Sequence, residues 1–390
     1  MATNTATLAA NRRARLARGI PQHVSPGLWT LAWRRLRRDH VGMVSLAIVV
    51  AFLVLMLLSG TGLIASDWSR EVGVNYAPPT FAGAEEVAAT SGAQVAPAAG
   101  PTAATDYQST VVDPIGDVIA ELTGQRAPGA TPPAAGASVD PLAEIMADIQ
   151  KGRAGAAAVA PEARAATLPF GGDKWGRDVL KKTIKGSETS IFVGLAAAFV
   201  ATFIGTLLGA LAGYYGRWVD DVLNWFYSVF SSIPYLLLIL AVAAVLNQKG
   251  MLTIILILGT LGWTGVFRLI RAEYLKHKGR EYVQAADALG ASNGRKMFLH
   301  IFPNVSHVVL VQLSILAVGF IKAEVILSFL GFGVPVDVVS WGSMLNEAQN
   351  ELILGKWWQL AAATTAMALL VTGFSLFTDA LRDALDPKLR

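Results

Sequence analysis

The sequence contains no cysteine and few charged residues for its length. Of its 390 residues 15% are charged, against about 25% in soluble domains. The absence of cysteine excludes disulfides, thiolate metal sites and cysteine nucleophiles, and it leaves the redox compartment undetermined. With 53% hydrophobic residues and a mean hydropathy of +0.48, the composition is typical of a protein that crosses a membrane several times.

Several functional motifs are also missing. No G-x-x-x-x-G-K-[ST] phosphate loop occurs, so the chain cannot hydrolyse ATP by that chemistry. The five histidines are scattered without paired spacing, so no metal site is expected. No Ser/His/Asp set can be argued on a chain that lies mostly inside a bilayer, so no catalytic residue is assigned. The pI of 9.2 reflects arginines next to apolar segments, which indicate membrane orientation and no nucleic-acid partner.

Six apolar segments are long enough to cross a bilayer, which takes about 20 residues. They are residues 41–64, 187–213, 219–246, 250–275, 305–333 and 358–381. The sequence therefore predicts an all-α polytopic membrane protein with six transmembrane helices. We interpret the first segment as a retained anchor, because it is longer than the apolar region of a signal peptide and no clear cleavage site follows. Pro234 predicts a kink in the third segment.

Lysine and arginine predict the orientation of these spans. Basic residues cluster before the first segment, after the fourth and at the C-terminus, and six spans place these three regions on one side. We therefore expect both termini in the cytoplasm. The expected organisation is a cytoplasmic basic segment (1–40), a first transmembrane helix (41–64), an extracytoplasmic loop (65–186) and a second transmembrane region (187–390).

The middle of the outer loop, residues 82–165, is an insertion rich in alanine, glycine and proline. Such a composition buries little apolar surface, so we expect it to form no core. Two pieces, 114–122 and 141–151, have helical patterns. In the second, apolar residues recur at helical spacing: Leu142, Ile145, Met146 and Ile149. The simplest interpretation is a tethered surface helix.

A polar connection, EYVQAADALGASNGRKMFLHIFPN at residues 281–304, separates the fourth and fifth segments. Apolar residues recur at helical spacing in its first half: Ala285, Ala286 and Leu289. Gly290 can end a helix in a left-handed conformation, so the pattern predicts two short helices joined there, the second ending at Pro303. Small side chains let such a helix lie close against a partner. The alternative is an amphipathic helix on the membrane surface without a partner.

This connection resembles the "EAA" loop of the membrane subunits of ATP-binding-cassette importers. It reads Q-A-A-x-x-x-G at 284–290 and, nine residues later, H-I-F-P at 300–303. Gln284 stands where the family often has Glu, and Phe302 where it often has Leu. The resemblance implies a cytoplasmic coupling loop, residues 276–304, that docks on an ATPase subunit. The implied contact residues are Gln284, Ala285, Ala286, Leu289, Gly290 and Pro303.

Further segments resemble dipeptide and oligopeptide permeases, in particular their second permease. They are LPFGGDKWGRDVL (168–180), GALAGYYGRWVDDVL (209–223), LSFLGFGVP (327–335), SWGSML (340–345) and DALRDALDPKLR (379–390). The resemblance covers about 29–64 and 170–390 and implies the type I importer permease fold for 187–390. It implies a peptide permease that works by alternating access in a bacterial inner membrane. The implied partners are a second homologous permease, two ATPase subunits that carry ATP and Mg, an extracytoplasmic binding protein and membrane lipid.

Charged residues stand out at two places. Asp173, Arg177 and Asp178 precede the second span; a salt-bridged turn is the simplest interpretation, and their position predicts that they brace the outer mouth. Lys322 and Glu324 fall inside the fifth span, where lipid-facing charges are costly. Two residues apart, they point to different faces of a helix. Either one faces the translocation path and the other a neighbouring helix, or Lys322 reaches outward and Glu324 makes a packing contact.

Spans two and five are rich in small residues, which let transmembrane helices approach closely. The glycines are Gly194, Gly205, Gly209, Gly213 and Gly319. Close packing explains them, although a moving pore wall would need them too.

Three other functions stay open. The same family architecture carries nickel or other small solutes, although no histidine is placed in the path. A channel or receptor without an ATPase is disfavoured by the loop at 281–304. A membrane enzyme is disfavoured because no catalytic set converges.

Overall fold

The computed structural model describes residues 28–83, 164–335 and 337–385. The arginines before residue 28, nearly all of the Ala/Gly/Pro-rich insertion with its two predicted helices, and the last five residues lie outside these ranges. The described residues 28–83 and 165–385 belong to one compact unit. They form helices joined by irregular segments and a few isolated bridges, which agrees with the all-α prediction.

The helices of the described residues have these bounds: α1, Leu28–Leu36; α2, His40–Gly60; α3, Val179–Tyr215; α4, Arg217–Ser231; α5, Tyr235–Leu246; α6, Met251–Leu261; α7, Thr264–Lys278; α8, Glu281–Ala288; α9, Asn293–Arg295; a π-helical turn, π1, Lys296–Ile301; α10, Phe302–Phe329; α11, Trp341–Ile353; and α12, Trp358–Leu385.

Four helices are long and apolar enough to cross a membrane. They are α2, α3, the continuous run from α9 to α10, and α12. The pairs α4–α5 and α6–α7 add two more spans when each bent pair is counted as one. Counted in this way, the described helices reach the six spans that the sequence predicts.

Two of these spans are broken rather than straight. The helices α4 and α5 meet at 82°, and Pro234 stands immediately before α5. Proline donates no backbone hydrogen bond, so a helix breaks readily at this position. The predicted kink is confirmed, and the turn is sharper than an ordinary kink. The 41° bend between α6 and α7, next to Gly262, was not predicted.

The centre of the fold is α3, which packs against α7 through glycines one helical turn apart: Gly205, Gly209 and Gly213. A Cβ atom added at Gly209 would lie only 2.7 Å from the carbonyl oxygen of Phe267. A Cβ atom added at Gly194 would likewise clash with Ile321 of α10. These four glycines confirm the packing prediction. Gly319 differs, because no atom of the described residues lies within 4 Å of an added Cβ there.

Several span boundaries differ from the sequence prediction. The first span ends at Gly60 rather than residue 64. The second begins at Val179, eight residues early, because Asp178 caps a polar first turn. The fifth does not begin after Pro303; its helix runs continuously from Asn293. Apolar length alone locates the part of a helix that lies in the membrane and misses polar turns that extend beyond it.

The two ends of the outer loop are joined by backbone hydrogen bonds. The Val74 N–H donates to the carbonyl of Ala165 at 2.9 Å, and the Thr80 N–H donates to that of Leu168 at 2.9 Å. The chain therefore leaves the compact unit and returns to it at adjacent points.

Candidate functional site

The connection between the fourth and fifth spans begins with α8, which ends in a Schellman turn. The Ala291 N–H donates to the carbonyl of Ala286 at 3.0 Å, and the Gly290 N–H donates to that of Asp287 at 2.8 Å. Gly290 has φ +77°, in the left-handed region that glycine adopts without strain. The predicted helix end at Gly290 is confirmed.

The second half of the connection differs from the prediction. Ser292 caps α9 by accepting from the Arg295 N–H, and the helix then passes through π1 into α10 without a stop. The predicted end at Pro303 is wrong. A π turn has i→i+5 bonds, and the Phe302 N–H donates to Met297 in this way. The shifted register leads into Pro303, the second residue of α10.

The inner face of this element is anchored to the membrane helices. Val283 and Ala286 of α8 and Met297 of π1 are buried. Val283 and Met297 belong to an apolar cluster with residues of α3 and α7. The Tyr274 hydroxyl donates to the Met297 carbonyl at 3.2 Å. An ion pair between Lys296 and Asp287 joins π1 to α8. These contacts hold the two short helices and the ends of the spans as one body.

The outer face of the same element is exposed and partly apolar. Leu289 is 88% exposed and Leu299 is 63% exposed. We call this surface the coupling face; it consists of Gln284, Ala285, Leu289, Gly290, Phe298 and Leu299. Exposed apolar side chains at the end of a rigid element are typical of an interaction site. Ala286, predicted to contact a partner, instead faces the protein interior.

Sequence reasoning missed Phe298 and Leu299 and placed Pro303 on this surface. Both missed residues lie in π1. A 3.6-residue pattern does not locate the exposed side of a π turn, whose side chains are rotated relative to an α-helix. Pro303 is exposed but belongs to α10, where it lines a separate cleft.

At the other end of the molecule, Asp173 organises the turn before α3. Its carboxylate is fully buried and accepts from the backbone N–H groups of Trp175 at 2.9 Å and Arg177 at 3.0 Å. The Arg177 guanidinium lies 4.4 Å from the centre of the Trp175 ring. Asp178 caps α3 by accepting from the Leu180 N–H at 2.8 Å. All three predicted residues therefore have structural partners in a turn next to α3.

Lys182 connects this turn to α11 and α12. Its ammonium donates to Asp173 at 2.8 Å, to Glu347 at 2.6 Å and to the side-chain oxygen of Gln359 at 3.2 Å. Glu351, one helical turn after Glu347, is 1% exposed. Neither of its carboxylate oxygens has a hydrogen-bond partner among the described residues. Burial raises the pKa of the Glu351 carboxyl to about 7.

This outer cluster was not identified from the sequence. Glu347 and Glu351 are four residues apart, so they share one face of a helix. That spacing was the one available signal. The spacing of the two glutamates does not identify their cation partner, because Lys182 lies 165 residues from Glu347 in the sequence.

Lys322 and Glu324 lie on different faces of α10, as their spacing predicts. Glu324 is fully buried, accepts from the Ser328 hydroxyl at 2.7 Å and lies close to Ser190 and Ser340. It thus lies where α10 meets α3 and the start of α11. Lys322 is exposed. A contact of Glu324 with neighbouring helices belongs to both alternatives, which differ in whether Lys322 faces the translocation path or reaches outward; the role of Lys322 stays a prediction.

The family profile described as "Binding-protein-dependent transport system inner membrane component" matches residues 205–390. The profile "N-terminal TM domain of oligopeptide transport permease C" matches residues 27–79. Together they leave out residues 1–26 and 80–204, which include the outer insertion and the part of α3 before Gly205.

Three relatives show the extent of similarity. The dipeptide transport system permease protein DppC of Bacillus subtilis is 38% identical over 57% of this chain and 69% of its own length. The oligopeptide transport system permease protein OppC of the same organism is 37% identical over 57% of this chain and 72% of its own length. The OppC protein of Haemophilus influenzae is 35% identical over 57% and 70%.

The chain belongs to the family of binding-protein-dependent transport system inner membrane components. It is a multi-pass permease subunit of an ATP-binding-cassette importer, with the type I permease fold. The relatives are named as transport permeases and not as enzymes. Among the described residues no group of His, Cys, Asp or Glu is arranged to hold a metal ion.

Proposed function

We propose that this permease carries dipeptides or oligopeptides, together with a second homologous permease. The names of the relatives support the substrate class. The coupling face carries the rest of the proposal. Exposed Leu289 and Leu299 lie on an element whose opposite side is fixed to α3 and α7.

In this proposal the coupling face of each permease docks on one of two ATPase subunits, which bind ATP and Mg. No phosphate loop occurs in this chain, so ATP would act from the partners. An extracytoplasmic binding protein would deliver the substrate at the outer end. Both termini and the coupling face would lie in the cytoplasm.

The contacts of the coupling loop support rigid-body transmission of the ATPase motion. Tyr274 connects π1 to α7, and the Tyr214 hydroxyl donates to the Asn293 side chain at 3.0 Å, which connects α9 to the end of α3. Displacement of α8 and π1 would therefore move α3 and α7 together. The breaks at Pro234 and Gly262 are places where the path could change shape between its outward and inward states.

The substrate class can be tested by transport. The tagged chain would be purified with the subunits that accompany it and placed in proteoliposomes with the binding protein. We expect ATP-dependent uptake of a labelled dipeptide, inhibited by unlabelled oligopeptide and unaffected by nickel. Nickel uptake without peptide competition would support the metal alternative. Flux without ATP, or purification without ATPase subunits, would support a channel or receptor.

A further inference from the structure

A second surface lies beside the coupling loop and has no role in the proposal above. It is a cleft of about 790 Å³ between the cytoplasmic end of α7, the first half of α10 and the end of α12. We call it the basic cleft. Its polar wall includes Lys276, Arg280 and Arg382, and its apolar wall includes Leu269, Val311 and Ile315.

The charges of the basic cleft are unbalanced. Glu273 is the single acidic side chain among the described lining residues. It is already paired, because its carboxylate lies 3.1 Å from the Lys276 ammonium and 3.6 Å from the His277 ring. Arg280 and Arg382 form no ion pair with any residue that the structure describes. Two guanidinium groups therefore face a cleft in which no described acidic side chain is left to pair with them.

The cleft also changes character with depth. Arg280 and Arg382 lie at the ends of α7 and α12, on the side of the coupling loop. Ile315 lies three turns into α10 from Pro303, about 18 Å along a helix of 1.5 Å rise per residue. Leu269 is likewise two turns before the end of α7. A cationic mouth above an apolar wall, at the end of membrane spans, matches an amphiphile with a negative head.

We propose that the basic cleft binds an anionic phospholipid of the cytoplasmic leaflet. Arg280 and Arg382 hold its phosphate, and its acyl chain lies along Leu269, Val311 and Ile315. Basic pockets between transmembrane helices on the cytoplasmic side recognise such head groups, and guanidinium groups bind phosphate through two hydrogen bonds. Arg280 also precedes α8 directly, so the lipid would hold the start of the coupling loop.

The test is the binding of a labelled phosphatidylglycerol to the purified full-length chain, repeated on the assembled transporter. We expect preference over phosphatidylcholine, and a five- to tenfold loss of affinity in the Arg280→Gln/Arg382→Gln double variant. Arg295→Gln is the matched control, since Arg295 is an exposed cation of the coupling loop that does not line the cleft. It should keep wild-type affinity. Glu273→Gln removes the single acid and should raise affinity, which keeps the test decisive if the double variant folds poorly.

The same assay distinguishes a lipid head group from a free phosphate ion as the bound anion. Inorganic phosphate at millimolar concentration should fail to displace the lipid, because the apolar wall contributes to binding. Full displacement by phosphate would show a site for a soluble anion and overturn the proposal. Equal binding of the two lipids, equal loss in the Arg295→Gln control, or loss of binding in the assembled transporter because a protein subunit covers the cleft would overturn it as well.

Discussion

The shape of the coupling loop depends on Gly290. Its φ of +77° is a conformation in which a β-branched residue is strained, at a cost of roughly 1–2 kcal/mol. An added Cβ would touch no described atom. Backbone conformation, and not space within this chain, is therefore the reason for glycine at this position.

We expect Gly290→Val to reach the membrane at wild-type levels and to lose ATPase association or substrate-stimulated ATP hydrolysis, because the angle between α8 and α9 changes. Gly294→Val is the matched control: Gly294 has equal space but lies within α9. Co-purification of ATPase subunits and the hydrolysis rate measure the effect. Full association and transport in Gly290→Val would contradict the role of the coupling face.

The raised pKa of the Glu351 carboxyl predicts that the stability of the folded protein depends on pH. Its ordinary pKa is 4.5, and burial raises it to about 7 in the folded protein. Between these values the folded state holds a proton that the unfolded state releases. The contribution to stability is therefore fully present below pH 4.5 and is lost as the pH rises through about 7.

Replacing the carboxyl by an amide removes this loss. We expect Glu351→Gln to be more stable than the wild type at pH 8.5, by about 1–3 kcal/mol, and nearly equal to it at pH 5. Thermal unfolding in detergent at both pH values measures the difference. Glu347→Gln, which breaks a pair with Lys182, should instead lower stability at pH 8.5. An equal shift for Glu351→Gln at both pH values would show that the carboxyl is charged when folded.

At the scale of helices, the contact between α3 and α7 determines where the coupling loop sits, because α7 leads into α8. Gly209→Val would place a side chain on the backbone of Phe267. Overpacking of this kind costs typically 1–3 kcal/mol. We expect Gly209→Val to lower the unfolding temperature and to weaken ATPase association, because a displaced α7 would also displace the coupling loop that follows it.

Gly319→Val is the control for Gly209→Val, because an added Cβ there meets open space. It should leave the unfolding temperature of the isolated chain unchanged. If both variants were equally destabilised, β-branching in a transmembrane helix would explain the effect, and close approach would not.

At the scale of the whole molecule, we predict that the outer insertion can be deleted without loss of assembly. The residues that flank it are paired, with Gly73 bridging to Ala165 and Pro79 to Leu168. We expect replacement of residues 84–163 by a short Gly/Ser linker to leave membrane insertion and complex size unchanged, because a short loop closes easily between adjacent points. Size-exclusion chromatography of the complex measures this. Loss of the complex would mean that the segment contributes to assembly.

Transport by the same deletion variant separates two roles for the insertion. Wild-type uptake would show that the insertion is dispensable. A defect with intact assembly would favour a role in receiving the binding protein.

The absence of cysteine makes the orientation directly testable. Arg295 is exposed beside the coupling face, and Ile353 is 84% exposed at the end of α11. We expect a membrane-impermeant maleimide added to intact cells to label Ile353→Cys and not Arg295→Cys. Inverted membrane vesicles should give the opposite result. Labelling of both residues from one side would contradict the six-span topology.

Composition and local pattern by themselves determined the helical class, the number of spans and the end of α8. Apolar length is a direct consequence of bilayer thickness, and Gly290 ends a helix by a property of its own backbone. The glycines of α3 predicted close approach for the same local reason. Each of these follows from residues near one another in the sequence.

Tertiary structure alone decided which side chains meet. The Lys182 ammonium donates hydrogen bonds to Asp173, Glu347 and Gln359, which lie on three separate segments. Glu324 is buried because α3 and α11 cover its face of α10. The π turn that exposes Phe298 and Leu299 has no periodic signal in the sequence. Burial and ion pairing depend on contacts between residues far apart in the chain. A pattern in the sequence therefore points to a charged residue of interest but does not identify its partner.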